Sequence, residues 1–305
     1  MEIDIAIDLN GHTAHSRPGI FASRAAPIQI NHLGYPGTMA VDYIDYVISD
    51  QYYLTEGIRR HFSEKIVTIP CVYTYDRQRI ISNDSFSKRQ FGLPENSFVF
   101  TCQNTYQKIM PEVFDIWMDI LKEIPKSVLW LADQYQLGKD NLIKQANLKG
   151  VQSNRLIFNK REIVTKDQEL VRISRYLASY KLADLFLDTW PYNAGTTAID
   201  ALWTGLPVLT IEGFSTGSRM AACALNAIEM PELITKSSLD YKSLAVRLAC
   251  DSEYLKKIKN KLQNNILTTS LFDPVSNTKH IENAYFEMVK RYQLGQPPED
   301  FIIKT

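Results

Sequence analysis

The stretch Trp190 to Thr210, WPYNAGTTAIDALWTGLPVLT, constrains the fold of this chain more than any other segment. Ahead of it, Lys181 to Thr189 (KLADLFLDT) reads as a strand rich in Leu and Phe, and Pro191, Asn193 and Gly195 are turn residues that break it. Thr196 or Thr197 is then expected to cap a helix carrying Ala198, Ile199, Ala201, Leu202 and Trp203. Gly205 and Pro207 end that helix, and Val208 to Ile211 resumes as strand. A helix that starts with free backbone N–H groups and two hydroxyls, just past a strand's carboxyl end, attracts an anion, so the segment has a phosphate-binding layout. The same local pattern also suits an ordinary capped crossover helix.

The rest of the chain supports an α/β class. Ile3 to Leu9, Ile28 to Leu33, Tyr46 to Ser49 and Ile66 to Ile69 read as strands of a first part, with a turn at Gly34-Tyr35-Pro36-Gly37. Residues 73–96 are polar, with one short helical candidate at Phe86 to Phe91, so the lobe boundary is expected there. Beyond it, Phe98 to Cys102, Val128 to Ala132, Leu156 to Phe158, Leu185 to Leu187 and Val208 to Ile211 read as five strands separated by helices such as Pro111 to Ile124. Such alternation predicts a doubly wound parallel sheet with ligands at the carboxyl ends of its strands. From Leu239 onward helices dominate, and Thr278 to Tyr292 puts Ile281, Ala284, Tyr285, Met288 and Val289 on one face.

Composition removes several function classes. Lys+Arg and Asp+Glu both number 34, so the net charge is zero and nothing predicts long-range attraction to nucleic acid or an anionic membrane. No apolar run approaches the roughly 18 residues that span a bilayer, and acidic residues sit near Met1 where a secretory signal would be basic, so cytoplasm is the expected location. Cys71, Cys102, Cys223 and Cys250 lack the spacing of a disulfide framework or zinc site and are expected to be buried small hydrophobes. None of the 13 glycines lies two positions from another, which removes a dinucleotide fingerprint, and no Gly-Lys-Ser/Thr triplet makes a P-loop. With no Asp-x-Asp triplet and no metal-ligand spacing among His12, His15, His32, His61 and His280, neither metal nor cofactor is expected. Lysine, arginine, hydroxyls and helix dipoles are left to neutralise a bound phosphate.

The runs DLNGHTAHSR (Asp8 to Arg17), APIQINHLGYPGT (Ala26 to Thr38), SEKIV (Ser63 to Val67), FGLPE (Phe91 to Glu95), KIMPEVFDIW (Lys108 to Trp117), SVLWL (Ser127 to Leu131), RLIF (Arg155 to Phe158), LADLFLDT (Leu182 to Thr189), Tyr192 to Thr210 and SRMAA (Ser218 to Ala222) occur in one order. Together they cover nearly the whole chain and resemble the catalytic region of the O-GlcNAc transferase and SPINDLY-type glycosyltransferases. The resemblance implies a GT-B architecture of two Rossmann-like lobes, the first incomplete: 1–78 as the C-terminal part of the first lobe, 79–275 as the nucleotide-sugar lobe, and 276–305 as a C-terminal helix and tail. It also implies metal-independent, inverting transfer of N-acetylglucosamine from UDP-GlcNAc to Ser or Thr of a protein. Two alternatives stand beside it: a noncatalytic nucleotide-sugar-binding fragment or subunit, and a relative using another donor such as GDP-fucose.

The resemblance carries over residue by residue. Lys108 matches the lysine that contacts the donor diphosphate and is needed for activity. Thr196 and Thr197 match the paired threonines at the diphosphate, and Asp200 matches the acid that binds the ribose hydroxyls. Asn104, Thr105 and Gly195 complete the implied donor-binding set. Gly195 stands where many relatives carry histidine, and Thr105 where the animal enzymes have glutamine. Between Phe158 and Leu182 the chain is longer than the animal pattern, with Asn159, Lys160 and Arg161 as neighbours of the base and Tyr176 near a family histidine. His12 and Tyr35, in loops that the resemblance turns toward the cleft, are candidate acceptor-side residues; no general base is assigned. Family members carry a tetratricopeptide array and further first-lobe sequence before DLNGHT, so a separate segment or chain is expected to supply that part. The apolar face of a half-lobe beginning at Ile3 favours such an association.

Overall fold

The computed structural model describes residues 3–35, 37–73, 75, 77–160 and 168–304, with the backbone alone at 159 and 160. The strands are β1 (Ile5–Asp8), β2 (Ile28–His32), β3 (Tyr46–Ser49), β4 (Lys65–Thr68), β5 (Phe98–Cys102), β6 (Ser127–Asp133), β7 (Leu156–Lys160), β8 (Leu185–Leu187), β9 (Val208–Ile211), β10 (Ile234–Thr235) and β11 (Phe301–Ile302). The α-helices are α1 (Gly19–Ala22), α2 (Glu56–Arg59), α3 (Pro111–Glu123), α4 (Gln136–Leu148), α5 (Glu169–Ser179), α6 (Thr196–Trp203), α7 (Met220–Ala227), α8 (Ser238–Cys250), α9 (Ser252–Thr268) and α10 (Pro274–Gln293). They divide between two units, one of Met1–Arg77, Phe214–Arg219 and Thr269–Thr305, the other of Gln78–Gly213 and Met220–Thr268.

The first unit holds a parallel sheet of order β1-β2-β3-β4-β11 among the described residues. One face is covered by α10, whose Ala284 and Met288 are buried against Ile28, Ile30, Tyr46, Ile48, Val67 and Ile69. Ile281, Tyr285 and Val289 flank them, the stripe that the helical spacing predicts. The helix starts earlier than its apolar face does, because Asp273 accepts a hydrogen bond from Ser276 N at 3.1 Å and Pro274 takes the first helical position. The tail then returns to the sheet: Phe301 and Ile302 pair with Val67 and Thr68, and Asp300 accepts from Ile66 N at 2.8 Å. The C-terminal helix and tail, residues 276–305, thus pack on the sheet of this unit. A two-residue strand has too little pattern to be read from sequence.

The second unit holds a parallel sheet of order β10-β9-β8-β5-β6-β7. Counted within the unit this is 6-5-4-1-2-3, the doubly wound order, and its connections diverge between β5 and β8. Helices lie on both faces, which is why the strands are unbroken apolar runs such as FVFTC and VLTI rather than alternating ones. Helix α3 buries Val113, Phe114, Trp117, Met118, Ile120 and Leu121, and its Trp117 Nε1 donates to the buried Tyr241 hydroxyl of α8 at 3.3 Å. Helix α4 buries Ala146 alone, so it carries no apolar stripe from which it could be read. The candidate helix at Phe86 to Phe91 is a 3-10 turn, Lys88–Phe91, stopped by Gly92 at φ 71°. Cys71, Cys102 and Cys223 are buried as expected; Cys250, at the outer end of α8, is exposed. Among the described residues no helix is long and apolar enough to cross a membrane, and no cluster of three His, Cys, Asp or Glu side chains could hold a metal ion.

Candidate functional site

In a doubly wound sheet the chain leaves the two strands at the switch point in opposite directions, opening a crevice at their carboxyl ends. Here those strands are β5 and β8. After β5 the chain passes through Gln103, Asn104 and Thr105 into a single turn, Tyr106–Lys108, before Pro111 begins α3. After β8 it passes through Asp188 and Thr189, a cis Trp190–Pro191 peptide, Tyr192, Asn193 and Ala194, and enters α6 from Gly195.

Asp188 ties these loops together. It is fully buried, and its Oδ1 accepts from Thr189 N (2.8 Å), Ala194 N (2.7 Å) and Asn104 Nδ2 (3.2 Å), while Oδ2 accepts from Thr210 Oγ1 (2.7 Å). Burial pushes its carboxyl up to about 6, against the pull of these hydrogen bonds and of the Lys108 charge. The Tyr241 hydroxyl donates to the Asp188 carbonyl at 3.0 Å, linking the site to the α3–α8 packing. Asn104, also buried, donates to Thr189 Oγ1 at 2.8 Å and accepts from Thr197 Oγ1 at 2.6 Å, so one amide spans both loops and the helix start.

Thr197 therefore does not cap α6, and neither does Thr196. Gly195 is the residue at the cap position and has no side chain to offer. Consequently the N–H groups of Thr196 and Thr197 take no hydrogen bond within the described residues, and the first turn keeps its donors and its positive dipole end. A Cβ at Gly195 would lie 2.6 Å from Met220 Cε, so the backbone here packs directly on α7. Lys108 Nζ donates to Asn193 O at 2.8 Å, two residues before Gly195, and lies 4.1 Å from the centre of the Tyr192 ring. Burial lowers the lysine below its usual value, and the Asp188 charge acts in the opposite sense.

Beside the start of α6 lies a cavity of about 520 Å³. Thr105, Tyr176, Thr196, Thr197 and Asp200 line it together, with Thr196 and Asp200 four residues apart along one side of α6. Asn104 stands behind Thr197, whereas Lys108 and Gly195 do not line this cavity; the lysine is held at Asn193. Asp200 is buried, which raises its carboxyl to about 6, and pairs with Arg79 Nη1 at 3.0 Å. The Tyr176 and Tyr180 hydroxyls share a 2.6 Å hydrogen bond. The side chains of Asn159 and Lys160, and all of Arg161, lie outside the described residues. His12 and Tyr35 belong to the first unit, where their rings meet edge to face at 5.2 Å and His12 Nε2 lies 3.2 Å from Met39 O.

Several lining residues are not legible as a motif. Arg79, Arg172 and Arg175 bring cationic groups to the cavity, and Gln103, Asp133 and Gln134 reach it from the ends of β5 and β6. The carboxyl-edge rule finds the last three once the strands are placed. Arg172 and Arg175, three apart on one helix, carry a weaker signal.

The chain is similar to known proteins in sequence and in fold. Residues 2–83 and 75–281 match the family model described as glycosyl transferase family 41. The probable UDP-N-acetylglucosamine–peptide N-acetylglucosaminyltransferase SEC of Arabidopsis thaliana is 34% identical over 307 residues, covering 98% of this chain and 30% of that protein. The UDP-N-acetylglucosamine–peptide N-acetylglucosaminyltransferase of Caenorhabditis elegans is 26% identical, with 97% of this chain and 35% of that protein covered. A mutant of the Thermobaculum terrenum O-GlcNAc transferase superposes with a TM-score of 0.81 at 28% identity, covering 94% of this chain and 53% of that one. The chain thus spans about a third of the length of these curated relatives.

Proposed function

The chain belongs to glycosyl transferase family 41, and its fold is of the GT-B type; from that premise we propose that it transfers N-acetylglucosamine from UDP-GlcNAc to Ser or Thr hydroxyls of proteins, with inversion and without a metal. The observation that carries this reading is what meets at the β5/β8 switch point: uncapped N–H groups at Thr196 and Thr197, the Lys108 ammonium on Asn193, and a cavity lined by Thr196, Thr197 and Asp200. In this reading the diphosphate lies on the helix start, where the dipole and the two N–H groups favour an anion. The ribose hydroxyls donate to Asp200, and the base enters the cavity toward Tyr176. The acceptor hydroxyl attacks C1 of the sugar, its proton passing to a base to which no residue is assigned. The bond from C1 to the β-phosphate oxygen breaks with its electron pair leaving on UDP. A preorganised cation at Lys108 stabilises that developing charge more than it stabilises the bound substrate, which is what lowers the barrier.

Incubation with radiolabelled UDP-GlcNAc and candidate acceptor proteins tests the reading; label must appear on protein Ser or Thr, and its absence with the full-length parent protein as well rejects it. Scattered cysteines without disulfide spacing support the cytoplasm as the place of action. A second reading, nucleotide-sugar binding without transfer, is favoured by the hold of Lys108 on Asn193 O, since that lysine does not line the cavity. Calorimetric binding of UDP with no turnover, restored by no added N-terminal segment, decides for it. Thr105, a short side chain, lines the cavity, and GDP-fucose in the same assay tests for another donor directly.

A further inference from the structure

Arg79 is fastened to α6 at two points three residues apart. Its carbonyl accepts from Trp203 Nε1 at 3.0 Å, and its guanidinium Nη1 stands 3.0 Å from Asp200 Oδ1. The Asp200 side chain is 5% exposed and that of Arg79 26%, and both face the same cavity, one wall of which is Phe86 and Phe91. A carboxylate in so dry a position needs an ion-pair partner to stay charged and in one place. Burial raises the Asp200 carboxyl and Arg79 opposes the rise. Arg79 lies far from Asp200 in sequence, in the polar stretch that precedes the second unit's sheet, so the pair is made by tertiary structure alone.

We propose that Arg79 is a positioning residue for Asp200: by holding Oδ1, with its own backbone pinned to Trp203, it fixes one orientation of the carboxylate, to which the ribose hydroxyls of a nucleoside diphosphate donate. The proposal rests on the donor-site reading given above and adds to it the residue that makes Asp200 selective for a ribose. An arginine suits this role because its planar fork keeps a fixed direction, where a lysine supplies only a point charge. Acting through Asp200, Arg79 affects only those ligands that carry the hydroxyls.

The test is calorimetric titration of the whole chain with UDP and with 2′,3′-dideoxyuridine diphosphate. In the wild type UDP binds more tightly than the dideoxy ligand. Arg79→Gln weakens UDP by about tenfold, the scale of one charge-assisted hydrogen bond, and leaves the dideoxy ligand unchanged. Arg79→Lys recovers part of the loss. An equal loss for both ligands, or no loss for either, overturns the proposal. Should Arg79→Gln lower the melting temperature, the cycle with Asp200→Asn decides: once Asp200→Asn is present, Arg79→Gln costs UDP nothing further, and an additive loss overturns the proposal. Failure of the underlying reading looks different, because the wild type then binds no UDP at all, or binds both ligands alike, and the proposal falls with it.

Discussion

Replacing Asp188 separates what its charge does from what its hydrogen bonds do. Asp188→Asn keeps an oxygen for Thr189 N, Ala194 N and Asn104 Nδ2 and offers its amide to the Thr210 hydroxyl oxygen, whereas Asp188→Ala removes the acceptor of the Thr189 and Ala194 N–H groups and of the Thr210 hydroxyl and leaves Asn104 Nδ2 only Thr189 Oγ1. Burial raises the folded carboxyl from 3.8 to about 6, so the folded chain holds this proton more tightly than the unfolded chain does. The sign follows: the contribution to stability is fully present below about 4 and is lost as pH rises through about 6. At pH ~7.5 the buried charge costs about 3 kcal/mol relative to the protonated form, a cost absent from Asp188→Asn. Urea unfolding followed by Trp fluorescence should find Asp188→Asn at least as stable as wild type at pH ~7.5. The gap should narrow by about 1 kcal/mol on moving to pH ~5. Asp188→Ala should lose about 3 to 5 kcal/mol at pH ~7.5 and about 1 kcal/mol more at pH ~5. Equal damage from Asn and Ala would refute the reasoning, since the charge and not the acceptor geometry would then hold the loops.

Lys108→Met should lower the transfer rate by roughly 100- to 1000-fold, about 3 to 4 kcal/mol, measured as label transferred per minute at saturating donor; an undiminished rate removes Lys108 from the chemistry. UDP affinity should be flat above pH ~7 and fall below about 6, because protonation of Asp200, raised to about 6 by burial, costs an acceptor for the ribose. In Asp200→Asn the part of that fall not owed to the phosphate itself should vanish, and calorimetry at three pH values reads it. Gly195→Ala should cost the second unit less than about 1 kcal/mol, because its methyl meets only the terminal Cε of the flexible Met220 side chain, which can turn away; a thermal melt showing a loss of several kcal/mol, recovered in the double variant with Met220→Ala, would show that Met220 is held in place.

The second unit was largely legible in sequence because its signals are local and agree with one another. Unbroken apolar runs mark β5 and β9 to the residue and place β8 inside the longer run Lys181 to Thr189, whose first residues form a 3-10 turn, and the turn residues after Thr189 mark the entry to α6. The cap is not legible in sequence because Thr196 and Thr197 are both good capping types, while the Thr197 hydroxyl is engaged by Asn104, which lies 93 residues away. Arg79, Tyr192 and Asp188 act through partners remote in sequence or through burial, which periodicity does not encode. The final helix was visible as an apolar stripe, but the sheet it covers and the strand that follows it depend on long-range pairing with β4.

Crystals of this chain grown with UDP test the central claim most directly. The account predicts the diphosphate on the N–H groups of Thr196 and Thr197 with Lys108 Nζ turned to it, and the ribose within hydrogen-bonding distance of Asp200. A nucleotide bound with its phosphates away from the start of α6, or with Lys108 still on Asn193 and Asp200 untouched, contradicts it.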